Sequence, residues 1–131
     1  MQHSDLRFEN PPLLPHAIVV EVLNRALGDR SYEPFAADAL IGVALNDGDR
    51  EFIECCCLEV GTGAAAGSPL LGLAGLCLGH VARRFGYVSD QAVALAEALA
   101  ARVGLDPSDV DERAVVGLDD IRAYLHGGEA G

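Results

Sequence analysis

Apolar residues recur along the chain at the three- and four-residue spacing of amphipathic helices, and no stretch alternates at the period of a strand. The first predicted helix follows Pro15 and ends at Gly28. Its apolar positions are Ile18, Val19, Val22, Leu23, Ala26 and Leu27. The second begins near Pro34, a residue suited to a first helical turn, and ends at an NDGD turn. Its apolar positions are Ala36, Ala39, Leu40 and Val43.

The third helix is predicted to be capped by Asp49 and to end at Gly61. Its apolar positions are Ile53, Cys56, Cys57 and Val60. The fourth opens with Ser68 as its cap, followed by a first-turn proline, and ends at Phe85 with Gly86 as terminator. It is apolar on most sides, which predicts a helix buried by its neighbours.

The fifth helix is predicted between Ser89 and Gly104, and the sixth begins within residues 106–108 and closes at Gly127 and Gly128. The apolar positions of the fifth are Ala92, Leu95, Ala96, Leu99 and Val103. Those of the sixth are Val110, Ala114, Leu118, Ile121 and Leu125. Short connections between the helices predict antiparallel hairpins in an all-α fold of five to six helices.

The domain organisation follows from length and composition. The 131 residues correspond to one domain of ordinary size. Half of them are hydrophobic, tryptophan is absent and aromatic residues are few, which favours packed helices over a sheet. We predict an extended arm over residues 1–15, a helical domain over residues 16–126 and a flexible tail over residues 127–131.

The formal net charge of −11 argues against binding to nucleic acid or to an anionic membrane, because both require a basic surface. It is compatible with a basic protein partner, although an acidic surface also keeps a protein soluble. Residues 60–82 carry no charge, but GTGAAAGSP is typical of a loop and leaves too short an apolar run for a membrane helix.

The four cysteines suggest structural thiols in a cytoplasmic chain. The N-terminus lacks the pattern of a secretory signal, and Cys55, Cys56 and Cys57 are adjacent, which makes a poor disulfide framework. Successive helical residues point about 100° apart, so these thiols cannot converge on one metal ion. His80 is predicted to be a packing residue. We therefore predict no metal, no cofactor and no catalytic residues.

The stretch LEVGTGAAAG resembles the first motif of S-adenosylmethionine-dependent methyltransferases, with Gly61 and Gly63 as its loop glycines. That fold also needs several strands and an acidic residue about 20 positions further on. The following segments are helical, and Asp90 stands at a helix start. The stretch is better interpreted as a helix end and a connection, and a small S-adenosylmethionine-binding enzyme is the less favoured alternative.

A repeat pattern indicates how the helices pack. The segment ALIGVALNDGDREFIECCCLEVG resembles a HEAT repeat, and LGLDPSDVDERAVVGLDDI repeats its layout. Glu54 departs from the family, which usually has arginine there. The resemblance covers Pro34 to Leu125 and implies a short HEAT-like α-solenoid, in which units stack on their neighbours.

Acidic residues gather at two of the predicted turns. In a HEAT-like stack equivalent turns line up along one edge, which would form a site for basic side chains. A solvated polar face is the alternative. The candidate partner-binding residues are Asp47, Asp49, Glu51, Glu54, Asp106, Asp109, Asp111 and Glu112.

The strings LGHVARRFG and LDDIRAYL are similar to those of small bacterial immunity proteins that carry HEAT-like helices. This resemblance implies an acidic inhibitor that binds a cognate basic toxin domain and occludes its active site. A general HEAT-like scaffold or adaptor is the alternative from the same class.

Overall fold

The computed structural model describes the backbone of residues 13–130 and the side chains of residues 13–125. This part of the chain is helical and contains no strand, which confirms the all-α prediction. A short 3₁₀ turn, Arg30–Tyr32, precedes the second helix. The six α-helices are α1 His16–Gly28, α2 Glu33–Asn46, α3 Arg50–Gly63, α4 Pro69–Phe85, α5 Asp90–Leu105 and α6 Arg113–Ala130. Most of the predicted arm, residues 1–12, lies outside the described residues.

Three helices begin at the residues that local capping chemistry predicts. The Asp49 carboxylate accepts a hydrogen bond from the Phe52 amide at 3.1 Å and caps α3. The hydroxyl of Ser68 caps α4 and that of Ser89 caps α5, by accepting from amides in the first turn of each helix at 3.1 and 3.2 Å. Gly86 ends α4 in the left-handed conformation that favours glycine at this position.

The predicted end of α3 and the predicted start of α6 were wrong. Helix α3 continues past Gly61 to Gly63, and Gly61 lies within it against the side chain of Leu95, where a glycine serves close packing. Helix α6 begins at Arg113, several residues later than predicted, and runs through the predicted closing glycines to Ala130. Asp106 forms a local turn by accepting from the Ser108 amide at 3.0 Å, so it does not cap a helix.

The helices pack in two layers. Among the described residues, each helix contacts only the next helix and the next but one along the chain. The odd-numbered helices α1, α3 and α5 thus form one layer, and the even-numbered helices form the other. Within the even layer α4 and α6 run parallel, since Gly72 lies beside Asp111 and Gly79 beside Gly117. The packing of six helices is established, whereas the HEAT-like solenoid remains a prediction.

Helix α4 is the centre of the fold. Its buried positions are Leu70, Leu71, Gly72, Leu73, Ala74, Gly75, Cys77, Leu78, Gly79, Val81 and Ala82. One side of α4 meets α6 backbone to backbone: a Cβ added to Gly79 would stand 2.7 Å from the carbonyl oxygen of Gly117. The apolar character of α4 therefore reflects burial by its neighbours. No helix in residues 13–130 is both long and apolar enough to cross a membrane.

Candidate protein-binding surface

Two of the eight predicted partner-binding residues are buried and bonded within the protein. Asp47 is 5% exposed, and its carboxylate binds the His16 ring at 2.7 Å and the Asp49 amide at 2.8 Å. Glu54 is 4% exposed and accepts hydrogen bonds from the Arg50 guanidinium and, at 3.0 Å, from the Ser89 amide. Glu54 is therefore a buried position and not an exposed candidate contact for a partner. Through the bond to Ser89, Glu54 links the α4–α5 connection to α3.

Glu54→Ala is expected to reduce the free energy of unfolding by about 2–3 kcal/mol, because a buried amide loses its acceptor and Arg50 loses its partner. Glu51, whose side chain is 86% exposed, provides the matched control. Glu51→Ala should change stability by less than about 0.5 kcal/mol. Urea unfolding of both variants measures the difference. Equal stability of the two variants would contradict the bridging role of Glu54.

The acidic turn between α5 and α6 is partly neutralised by neighbouring arginines. Both carboxylate oxygens of Asp109 bind Arg102, at 2.7 and 2.8 Å, and this hydrogen bonding lowers the pKa of Asp109. Asp111 binds Arg113 in the same two-point manner at 2.9 and 3.0 Å, which lowers the pKa of Asp111. Both carboxylates are thus ionised and paired at neutral pH. Asp106 and Glu112 are exposed.

The two acidic turns lie at opposite ends of the fold, so the prediction that they share one edge is wrong. The Asp109 carbonyl accepts from the Gly67 amide at 2.8 Å, beside the start of α4. Arg84, in the last turn of α4, donates to the carbonyl of Ala44 at 2.8 Å, beside the α2–α3 turn. The whole length of α4 therefore separates the two turns. Because chain direction reverses at every turn, turns separated by three helices cannot lie at the same end.

A different surface gathers grooves and negative charge. Two grooves run along α3, one against α1 and the other against α5, and both are lined by Cys55 and Glu59. We call this surface the α3 face. Its other lining residues are Val20, Leu23, Asn24, Phe52 and Cys56 in the first groove and Leu58, Thr62, Gln91, Ala94 and Leu95 in the second.

Carboxylates outnumber arginines on the odd-numbered helices, so this layer is negatively charged, and each of its arginines is already paired. Arg25 lies 3.4 Å from Glu21, and the other two arginines of this layer bind Glu54 and Asp109 as described. By contrast, the carboxylates of Glu59, Asp90 and Glu97 form no hydrogen bond or ion pair with any described residue. Glu59 was not among the predicted site residues. The α3 face therefore presents the uncompensated carboxylate of Glu59 between two apolar grooves.

The thiols differ in accessibility, and only Cys55 is exposed. Burial raises the pKa of Cys56 to about 12, and a hydrogen bond with Cys77 together with burial raises the pKa of Cys57. The thiolate is the reactive form of cysteine. We expect a disulfide reagent such as 5,5′-dithiobis(2-nitrobenzoate) to modify one of the four thiols rapidly in the native protein and all four after denaturation. A Cys55→Ser variant should lose the rapid phase, and its persistence would contradict this assignment.

The glycines of the methyltransferase-like stretch do not form a loop. Gly61 and Gly63 both belong to α3, where they lie against Leu95 and Leu27. Residues 61 and 63 thus bring α3 close to its two neighbours in the odd-numbered layer. The interpretation of this stretch as a helix followed by a connection is the one that the geometry supports.

Comparisons with known proteins leave the family open. No protein-family model matches the chain, and neither a curated protein nor a solved structure is significantly similar to it.

Proposed function

We propose that this protein binds another protein, and specifically that it is an acidic, immunity-type inhibitor that occludes the active site of a cognate basic toxin domain in the cytoplasm. The observation that carries the proposal is the α3 face, where Glu59 separates two grooves and has no cationic partner among the described residues. A basic side chain from a partner would supply the missing charge.

The α3 face has the two properties that protein interfaces combine. Apolar side chains such as Val20, Phe52 and Leu95 line the grooves and can be buried against a partner. The carboxylate of Glu59 provides electrostatic complementarity to a basic partner, which accelerates association and selects the partner. The net charge of −11 would steer a basic domain toward the protein from a distance.

The helix packing supports the HEAT-like part of the proposal. Contacts only between near neighbours along the chain are the defining property of solenoid repeats. The predicted acidic sites at Asp49, Glu51, Asp106 and Glu112 are exposed and remain candidate contacts. Since the two turns lie at opposite ends, one partner domain is expected to contact one of them together with the α3 face.

Co-expression with the product of the neighbouring reading frame tests the proposal. The expected result is protection of the host from that product's toxicity and a complex that survives size-exclusion chromatography. A complex without toxicity would favour the adaptor alternative. Absence of both complex and protection would reject the immunity function. Calorimetric titration with S-adenosylmethionine tests the enzyme alternative, and heat of binding would support it.

A further inference from the structure

A cavity on the opposite layer, between α2 and α4, combines apolar walls with the guanidinium of Arg113 and the imidazole of His80. Its volume is about 240 Å³. It is lined by Ile41, Ala44, Leu45, Leu73, Leu76, Cys77, His80 and Arg113. Although the chain has 20 acidic and 9 basic residues, no carboxylate lines this cavity. The charged group at this cavity is therefore the guanidinium of Arg113, whose charge is balanced by the Asp111 carboxylate outside the lining.

Arg113 is held in position at the cavity before any ligand arrives. Its Nε and Nη2 atoms bind the Asp111 carboxylate at 3.0 and 2.9 Å, and Nη2 also donates to the Pro69 carbonyl at 2.8 Å. Nη1 makes no hydrogen bond with the described residues. An anchored guanidinium loses little conformational entropy on binding an anion. Nη1 is thus a preorganised donor for a carboxylate.

His80 lines the same cavity from the helix that carries Arg83 and Arg84. Partial burial and these two arginines lower the pKa of His80, while Asp120 acts in the opposite direction. The imidazole is therefore neutral at pH 7 and can donate one hydrogen bond. The positive charges of Arg83 and Arg84 near His80 make this end of the cavity unfavourable for a cationic ligand.

We propose that the cavity between α2 and α4 binds a small aliphatic carboxylate, with the carboxylate group at Nη1 of Arg113 and the hydrocarbon chain between Ile41 and Leu76. The cavity, at about 240 Å³, is smaller than the roughly 300–1,000 Å³ of most ligand cavities, so it can hold only a small ligand. At about 30 Å³ for a water-sized group, the cavity has room for about eight methylene-sized groups. The proposal is independent of the binding of a toxin at the α3 face.

Calorimetry and NMR chemical-shift titration of the full chain with octanoate, octylammonium and octanol test the proposal. Octanoate is expected to bind saturably and to shift resonances of Ile41, Leu76 and Arg113. Octylammonium and octanol should bind at least about tenfold more weakly, because they lack the carboxylate that pairs with the guanidinium. Equal affinity for all three compounds, or no saturable binding of octanoate, would overturn the proposal.

Ile41→Glu places a carboxylate within the cavity and should weaken octanoate binding at least about tenfold through charge repulsion. Ile18→Glu makes the same change on α1, where Ile18 is 44% exposed, and should leave binding unchanged. Arg113→Gln should weaken octanoate but leave octanol unaffected, which separates loss of charge from loss of fold. Octanoate binding that is undiminished in Ile41→Glu, or equally diminished in Ile18→Glu, would contradict the assigned site.

Discussion

Gly117→Ala is expected to lower the free energy of unfolding by about 3 kcal/mol, the largest stability effect of any single methyl group that we expect in this protein. A Cβ at this position would overlap the carbonyl oxygen of Gly75. The Gly75 carbonyl is part of the backbone and the new Cβ is bonded directly to the backbone, so no side-chain rotation can relieve the overlap. Helices α4 and α6 would have to separate, and the contacts that bury the centre of the fold would be lost.

Gly104→Ala is the matched control. Gly104 lies in the last turn of α5, and a Cβ there would meet nothing within 4 Å. Alanine is a better helix former than glycine by about 0.5–1 kcal/mol, so this variant should be slightly more stable than the parent. Thermal and urea unfolding give both values. A Gly117→Ala variant as stable as the parent would show that α4 and α6 do not pack backbone to backbone.

Local signals account for the part of the fold that the sequence predicted. Asp49, Ser68 and Ser89 each cap a helix through a hydrogen bond within two or three residues, and Gly86 ends α4 in a conformation that favours glycine. Such features depend on residues adjacent in sequence. They could therefore be identified without knowledge of the tertiary structure.

The start of α6 could not be predicted because several acidic residues compete to cap it. Asp106 forms a local turn, and the Asp111 carboxylate accepts from the Arg113 amide at 3.0 Å. Asp111 also fills the space beside Gly72, and Arg113 reaches the Pro69 carbonyl. These two contacts join segments that are far apart in sequence. The choice among the possible caps is thus made by tertiary packing.

Predicting the site residues also requires knowledge of the tertiary packing. Glu54 is three residues before the buried Cys57, so helical periodicity places it at the edge of the buried stripe. Whether an edge position is buried depends on its neighbours, and here the Ser89 amide at the start of another helix covers it. Glu59 follows Cys55 by four residues and shares its exposed side of α3. Glu59 lies between two grooves only because α1 and α5 pack on either side of α3. The sequence of α3 alone does not reveal this packing.

Glu59→Arg is expected to weaken the proposed inhibitor–toxin complex by at least about tenfold, and by about a hundredfold if Glu59 meets a basic side chain directly. The substitution replaces an attractive charge at the ridge between the grooves with a repulsive one. Glu59 is exposed, and its carboxylate makes no hydrogen bond with the described residues. The substitution should therefore leave folding stability nearly unchanged. The affinity measured by surface plasmon resonance and the protection of co-expressing cells should fall together.

Asp119→Arg supplies the control for net charge. Asp119 is exposed on α6, in the other layer, and forms no ion pair with the described residues. Asp119→Arg changes the formal charge of the protein by the same amount as Glu59→Arg. If the α3 face is the binding site, Asp119→Arg should reduce affinity by less than about threefold, through weaker long-range steering alone. Bound toxin domain should also slow the reaction of Cys55 with a thiol reagent, because Cys55 lines both grooves beside Glu59. Equal effects of the two substitutions, with no protection of Cys55, would assign the attraction to overall charge and place the contact away from the α3 face.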